Sequence, residues 1–266
     1  MNLAPAYSKA LLRNETLWFW GGVFMLFWIV IGAFVESQGL SLAGTALRQY
    51  AASWYAVVVL LSLSMLAVAI ANSLTYGSAA LAYAFRYTRL TPNGYLGSVL
   101  VASAIMGFFL GFLILGGTVA VFGARFHASL VPSNIAGLVG VALVAGVFFM
   151  ALAAILMLVV INYVGLRSTS LVGFVPLMLA YAFGLGQVFL PLPAWLLYGS
   201  PYNDITSLLY QGFCGAAAPV SGAGPATLAW PILVAALLAW SVALSAGATF
   251  LLRRIRARQV EEGRQV

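Results

Sequence analysis

The stretch 53-SWYAVVVLLSLSMLAVAIANSL-74 decides the fold. Its 22 residues hold no charge and no proline, and only three serines and one asparagine interrupt it after Ser53 and Trp54. A run of about 20 apolar residues is the length that crosses the hydrocarbon of a bilayer as a helix. Backbone amides have no water to bond there, so the segment must pair them internally. The alternation of a barrel strand is absent. Five further runs of this kind flank it, which gives predicted spans at 16–35, 53–74, 94–122, 131–162, 168–190 and 227–252. The third and fourth approach 30 residues and are expected to tilt or to extend beyond the hydrocarbon.

Composition agrees with that reading. Hydrophobic residues make up 64% of the 266 and charged residues 6%, against roughly a quarter charged in a soluble domain. Mean hydropathy is +1.05. So few charges cannot cover a water-facing surface, so most of the chain faces lipid or other apolar helices. The expected fold is an all-α membrane protein of six transmembrane helices. Its organisation is an amphipathic interfacial helix over 1–15, a transmembrane domain over 16–253 and a cytoplasmic tail over 254–266. Lys9 and Arg13 precede the first apolar run as they would in a signal peptide. No small-x-small cleavage site follows at Glu36-Ser37-Gln38, so the run reads as a retained span.

The net charge of +7 sits at the ends of the apolar runs. It reads as a set of topology signals and lipid headgroup contacts rather than a nucleic-acid surface. With both termini inside, ten of the 12 Lys and Arg fall on the cytoplasmic side and only Arg48 and Arg125 outside. Positive loops stay inside, so the expectation is a multi-pass protein of the cell membrane with both ends cytoplasmic and membrane lipid as its surroundings.

Several chemistries are disfavoured. The five acids, Glu15, Glu36, Asp204, Glu261 and Glu262, all fall outside the six apolar runs, whereas proton- and sodium-driven carriers usually bury a carboxylate. His127 is the only histidine and falls in a predicted outer loop, so no catalytic residue is assigned. Metal ligands are too few for a cluster. Cys214 is the only cysteine, so no intrachain disulfide can form and its expected role is small apolar packing. The only lysine, Lys9, lacks the glycine-rich context of a phosphate-binding loop. The chain is therefore not expected to be an enzyme, and any ATP would be hydrolysed by another subunit. Ser62, Ser64, Asn72, Asn162 and Gln187 each fit either a polar path or a bond between helices.

The segments between spans carry further signals. Leu3, Tyr7, Ala10 and Leu11 share one helical face with Lys9 and Arg13 on another, as in a helix lying at the interface. Tyr76–Asn93 is rich in aromatics. A helix there would place Arg86 and Arg89 on one face, with Pro92 ending it and Thr91 or Asn93 capping the next. Pro191-Leu192-Pro193 breaks the fifth helix. Ala194–Tyr198 and Asn203–Cys214 are then apolar but too short to span, so they read as short re-entrant or interfacial helices with Asn203 as an N-cap.

This layout resembles the permease subunits of type-2 ABC exporters. The run Arg86-Tyr87-Thr88-Arg89-Leu90-Thr91-Pro92-Asn93-Gly94-Tyr95-Leu96-Gly97 resembles that family's leucine, small residue, proline and then tyrosine-leucine-leucine-glycine run entering the third helix. Tyr76-Gly77-Ser78 sits where the family often has glycine followed by Ser or Thr. Leu192-Pro193-Ala194-Trp195 with Ser200-Pro201-Tyr202 looks like its outer segment. The chain departs from the family in lacking an acid just before that glycine and in having Ser98 where Lys is frequent. The resemblance implies a homodimer or heterodimer of permeases on two cytoplasmic ABC ATPase subunits, which would hold ATP and Mg. It implies a coupling helix over Tyr76–Leu90, with Tyr83, Phe85, Arg86, Arg89 and Leu90 meeting the ATPase. It further implies a path along the second and fifth helices, for which Ser64, Met65, Asn72, Phe174, Met178, Gln187 and Phe189 are the candidates. The cargo implied is amphipathic or lipid-like. A gradient-driven carrier or a non-transporting scaffold is the alternative.

Overall fold

A computed structural model describes residues 3–164, 169–184, 193–216 and 229–255. All regular structure among them is helical. Five helices are long and apolar enough to cross a membrane: Glu15–Phe34, Gly44–Ser78, Pro92–Phe126, Ile135–Val164 and Trp230–Leu252. The expected fifth span is represented by a shorter apolar helix, Leu171–Gly184. The rest of that expected span, with Gln187 and Phe189, lies outside the described residues, as does the expected cytoplasmic tail from 256 onward.

The chain opens on α1, Ala4–Leu12, which starts with Pro5 in its first turn, where a missing N–H costs nothing. Asn14 then caps α2, Glu15–Trp18, by accepting from the Leu17 amide at 3.0 Å. One π-helical turn, Phe19–Val23, joins α2 to α3, Phe24–Phe34. A π turn displaces the backbone ladder, and here the Ser62 hydroxyl donates to the Gly21 carbonyl inside it. A second π turn, Val160–Val164, ends the fourth span. It too is met by a cross-helix bond, from Asn162 Nδ2 to the Leu251 carbonyl at 3.2 Å. Ser62 and Asn162 thus bond neighbouring helices.

The second span belongs to α4, Gly44–Tyr87, a single helix of 44 residues. At 1.5 Å per residue it is about 66 Å long, roughly twice the hydrocarbon thickness. The expected separate coupling helix is therefore the continuation of this span. It stops at Tyr87, short of the predicted limit, so Arg86 is helical and Arg89 lies in the connector beyond it. The cause is the turn that follows. Thr88 is extended, its hydroxyl donates to the Ala84 carbonyl, and the Leu90 amide donates to that hydroxyl. Thr91 is extended before Pro92, as a pre-proline residue prefers, and caps α5, Pro92–Phe126, through the Gly94 amide. At the far end of α5, His127 adopts the left-handed conformation at the C-cap.

The helices α6, Ile135–Val159, α7, Thr169–Gly173, and α8, Val175–Gly184, complete the middle of the chain. They are followed by α9, Ala194–Gly199, α10, Pro201–Cys214, and α11, Trp230–Leu252. Helix α4 is the axis of the bundle and packs on α3, α5, α6, α8 and α10. Two markers place the turn between α9 and α10 near the middle of the bundle. The Gly199 carbonyl accepts from Trp240 Nε1 at 3.1 Å, halfway along α11. The Tyr202 ring meets Phe148 and Phe149, halfway along α6, each at 5.7 Å between centroids. At its other end, α10 accepts at the Phe213 and Gly212 carbonyls from the Ser133 and Asn134 amides, just before α6. So α10 is a re-entrant helix running from mid-depth to one face. Its N-cap is Ser200, with Pro201 first in the helix. Asn203, expected as the cap, is instead within the first turn and buried.

The cations divide between the two ends of the bundle. Arg48 lies at the end where α10 emerges, and donates to the Val131 carbonyl at 2.6 Å and to Ser133 Oγ at 2.9 Å. It ties α4 to the loop between α5 and α6. Replacing it by Ala is expected to lower stability by about 1 kcal/mol, read as a small drop in melting temperature in detergent with the chain still monodisperse. Lys9, Arg13, Arg86, Arg89, Arg253 and Arg254 gather at the opposite, basic end, where Arg253 Nη2 donates to Asn93 Oδ1 at 3.2 Å.

Candidate functional site

An open cavity of about 540 Å³ lies toward the basic end, between α2 with the π turn that follows it, α4 and the junction of α7 and α8. Its apolar wall is Leu17, Trp20, Met65, Val68, Ala69 and Phe174. Its polar lining is Asn14, Thr16, Asn72, Ser73 and Tyr76. Tyr76 and Asn14 belong to the end of the spans, so the cavity passes from a polar rim into an apolar interior. Such a lining fits a molecule with one polar end and one apolar end.

Three of the expected path residues, Met65, Asn72 and Phe174, meet in this cavity. Ser64 does not. It is fully buried, and its hydroxyl donates to the Leu61 carbonyl at 2.6 Å. Met178 stands one turn beyond Phe174, is 60% exposed and is not part of the lining. With Leu171, Phe174 and Tyr181 it forms an exposed apolar ridge along α7 and α8. Asn14, Thr16, Leu17 and Trp20 are site residues that the sequence reading missed. The π turn that contains Trp20 is the local irregularity there, and nothing in the sequence pattern announces which helix Trp20 will face.

The basic end of α4 divides its residues between two faces. Phe85 packs inward, its ring 5.9 Å from Tyr95, which in turn meets Tyr7 of α1 edge-on at 5.5 Å. Leu90 also packs against the core. This aromatic chain fastens α1 to the start of α5 and the end of α4. Outward, Tyr76, Tyr83 and Tyr87 recur at helical spacing on an exposed stripe. The rings of Tyr83 and Tyr87 lie 4.5 Å apart, and the Arg86 guanidinium sits 5.8 Å over Tyr87. Arg89 is exposed just past them. Three tyrosines and one arginine on a projecting helix, with a second arginine just past its end, match the residue types that dominate protein interfaces.

A third constellation was not expected. Ser200, Asn203 and Asp204 are all buried at the start of α10, and Asp204 has no exposed surface. Although Asp204 falls outside every predicted span, α10 carries it into the bundle. The clue in the sequence is a short apolar segment whose first turn holds an acid. No family model matches the sequence, and no curated protein matches it.

Proposed function

We propose that this chain is the membrane-spanning permease subunit of an ATP-driven exporter of the type-2 ABC class, working as a homodimer or heterodimer with separate cytoplasmic ATPase subunits that hold ATP and Mg. The observation that carries this reading is the unbroken α4, which runs from the membrane-crossing bundle into an exposed stripe of Tyr76, Tyr83, Arg86 and Tyr87. A motor docked on that stripe would act directly on the helix that walls the cavity. The basic end would face the cytoplasm of a cell membrane, by the positive-inside rule. The cargo would be an amphipathic or lipid-like molecule, because the cavity has a polar rim and an apolar wall.

The test is reconstitution with a separate cytoplasmic ABC ATPase subunit. Vesicles holding both proteins are expected to move a fluorescent amphiphile only when ATP is present. Ala69→Trp, which fills part of the cavity, is expected to cut that transport at least about tenfold while leaving complex assembly intact, since a misfit of a few atoms costs a bound ligand more than about 1.4 kcal/mol. ATP-independent transport by the chain alone would overturn the reading. A gradient-driven carrier is the second reading, favoured by the buried Asp204, since intramembrane carboxylates serve such coupling. Uptake that follows an imposed proton or sodium gradient without any ATPase would select it.

A further inference from the structure

The first turn of α10 gathers polar atoms with nothing to bond. Ser200, Asn203 and Asp204 stand at i, i+3 and i+4, which places them on one helix face. Ser200 is 5% exposed, and Asn203 and Asp204 are 0% exposed. Among the described residues, Ser200 Oγ, both amide atoms of Asn203 and both carboxylate oxygens of Asp204 have no hydrogen-bond partner. A buried polar group without a partner costs on the order of 1–3 kcal/mol, and an unpaired charge costs far more. Five such atoms on one turn at the middle of a membrane bundle therefore point to something that binds them.

The surroundings fix the charge of that ligand. Helix α10 packs against α4, α6, α8, α9 and α11. Helices α6, α8, α9 and α11 carry no charged residue. On α4 the charges are Arg48, engaged by Val131 and Ser133 at the mouth, and Arg86, at the basic end. The other titratable groups on these elements are phenols and a thiol. They are Tyr50, Tyr55, Tyr76, Tyr83 and Tyr87 on α4, of which Tyr55 faces Phe213, then Tyr181 on α8, Tyr198 on α9, and Tyr202, Tyr210 and Cys214 on α10 itself. None supplies a positive charge to Asp204. The α10 N-terminus favours a negative charge, but neither Asp204 oxygen reaches an N–H. The available donors are a carboxylate, an amide oxygen and a hydroxyl, all hard oxygens of the kind that hold sodium in membrane carriers, while the carboxylate alone suffices for a proton.

We propose that Ser200, Asn203 and Asp204 form a membrane-embedded site for a monovalent cation, a proton or sodium, which neutralises Asp204 and keeps α10 seated in the bundle. The site stands whether or not an ATPase drives the chain, because it concerns how α10 is held. A cation bound by the folded bundle and released on unfolding stabilises the fold as its concentration rises. For a proton, stability is greatest at low pH and is lost as pH rises, since the folded state then binds more protons than the unfolded one.

The experiment uses the purified full chain in lipid nanodiscs. Melting temperature is followed against pH in choline chloride, and against NaCl at high pH with choline chloride as the ionic-strength control. The infrared carboxylic-acid C=O stretch is recorded alongside. A proton site predicts a melting temperature that falls with rising pH as that band disappears, with no sodium effect. A sodium site predicts recovery at high pH by NaCl but not by choline. Asp204→Asn should abolish whichever response the wild type shows, and Ser200→Ala with Asn203→Ala should weaken a sodium response about tenfold. Identical profiles in wild type and Asp204→Asn would overturn the proposal. Should Asp204→Asn fail to fold, the wild type decides alone: a cation response with the matching band upholds the site, and indifference to both pH and sodium overturns it.

Discussion

Gly107→Val combined with Gly146→Val is expected to abolish the folded bundle. At Gly107 an added Cβ would lie 2.5 Å from the Ala142 carbonyl oxygen and 3.1 Å from the Gly146 α-carbon. At Gly146 it would run into the Ser103 carbonyl oxygen and lie 3.3 Å from the Gly107 α-carbon. These neighbours are backbone, so no side chain can swing aside. The two helices must part by close to an ångström, and α5 against α6 is the most extensive helix pair among the described residues. Close glycine contacts of this kind let carbonyls meet Cα–H groups across a membrane interface. Overpacking costs about 1–3 kcal/mol per site, so the pair removes roughly 4 kcal/mol or more, a large share of the 5–15 kcal/mol typical of a domain. Size-exclusion profiles in detergent should show loss of the monodisperse species. Gly116→Val is the control, with no atom within 4 Å of its Cβ. A double variant that melts where the wild type does would refute the account.

The second large effect concerns association. Under the proposed function, Tyr83→Ser, Arg86→Glu and Tyr87→Ser together are expected to weaken binding of the proposed ATPase subunit by at least about 100-fold. Truncating an interface hot spot of these residue types costs about 2 kcal/mol or more, and each 1.4 kcal/mol is tenfold. The side chains are exposed, Tyr83 at 64% and Tyr87 at 63%, so the melting temperature of the isolated chain should not change. Phe85→Ala should do the opposite. It removes the ring that meets Tyr95, so it lowers the melting temperature through lost packing. Binding is measured by titrating labelled ATPase onto the purified chain in detergent. Unaltered affinity in the triple variant would rule out this face as the docking surface.

The crossing helices were legible because an apolar run of about 20 residues has few alternatives in a membrane. The continuation of α4 was partly legible. Nothing between Ser53 and Tyr87 breaks a helix except Gly77, but the drop in hydropathy after Leu74 reads as the end of an element when the helix continues to Tyr87. The cavity was half legible. Met65, Asn72 and Phe174 come from helices expected to line a path, whereas Trp20 reaches it through a pairing of helices that no local pattern encodes. The burial of Asp204 was half legible, since its segment read as either a re-entrant or an interfacial helix. Hydropathy reports whether a segment can cross a membrane, not whether a short segment folds back into a bundle already formed.

Helix α4 has one further consequence, which is mechanical. It contains no proline from Gly44 to Tyr87 and is held against the π turn Phe19–Val23 near Ser62, where the hydroxyl meets the Gly21 carbonyl. A straight rod pinned there has unequal arms. From Ser62 to Tyr87 is about 38 Å and from Ser62 to Gly44 about 27 Å, at 1.5 Å per residue. A tilt about that fulcrum moves the end of the tyrosine stripe roughly 1.4 times as far as the opposite end. Met65, Val68 and Ala69, close to the pivot, then move least, so a push of several ångströms at the stripe reaches the cavity wall geared down to about one, with correspondingly greater force.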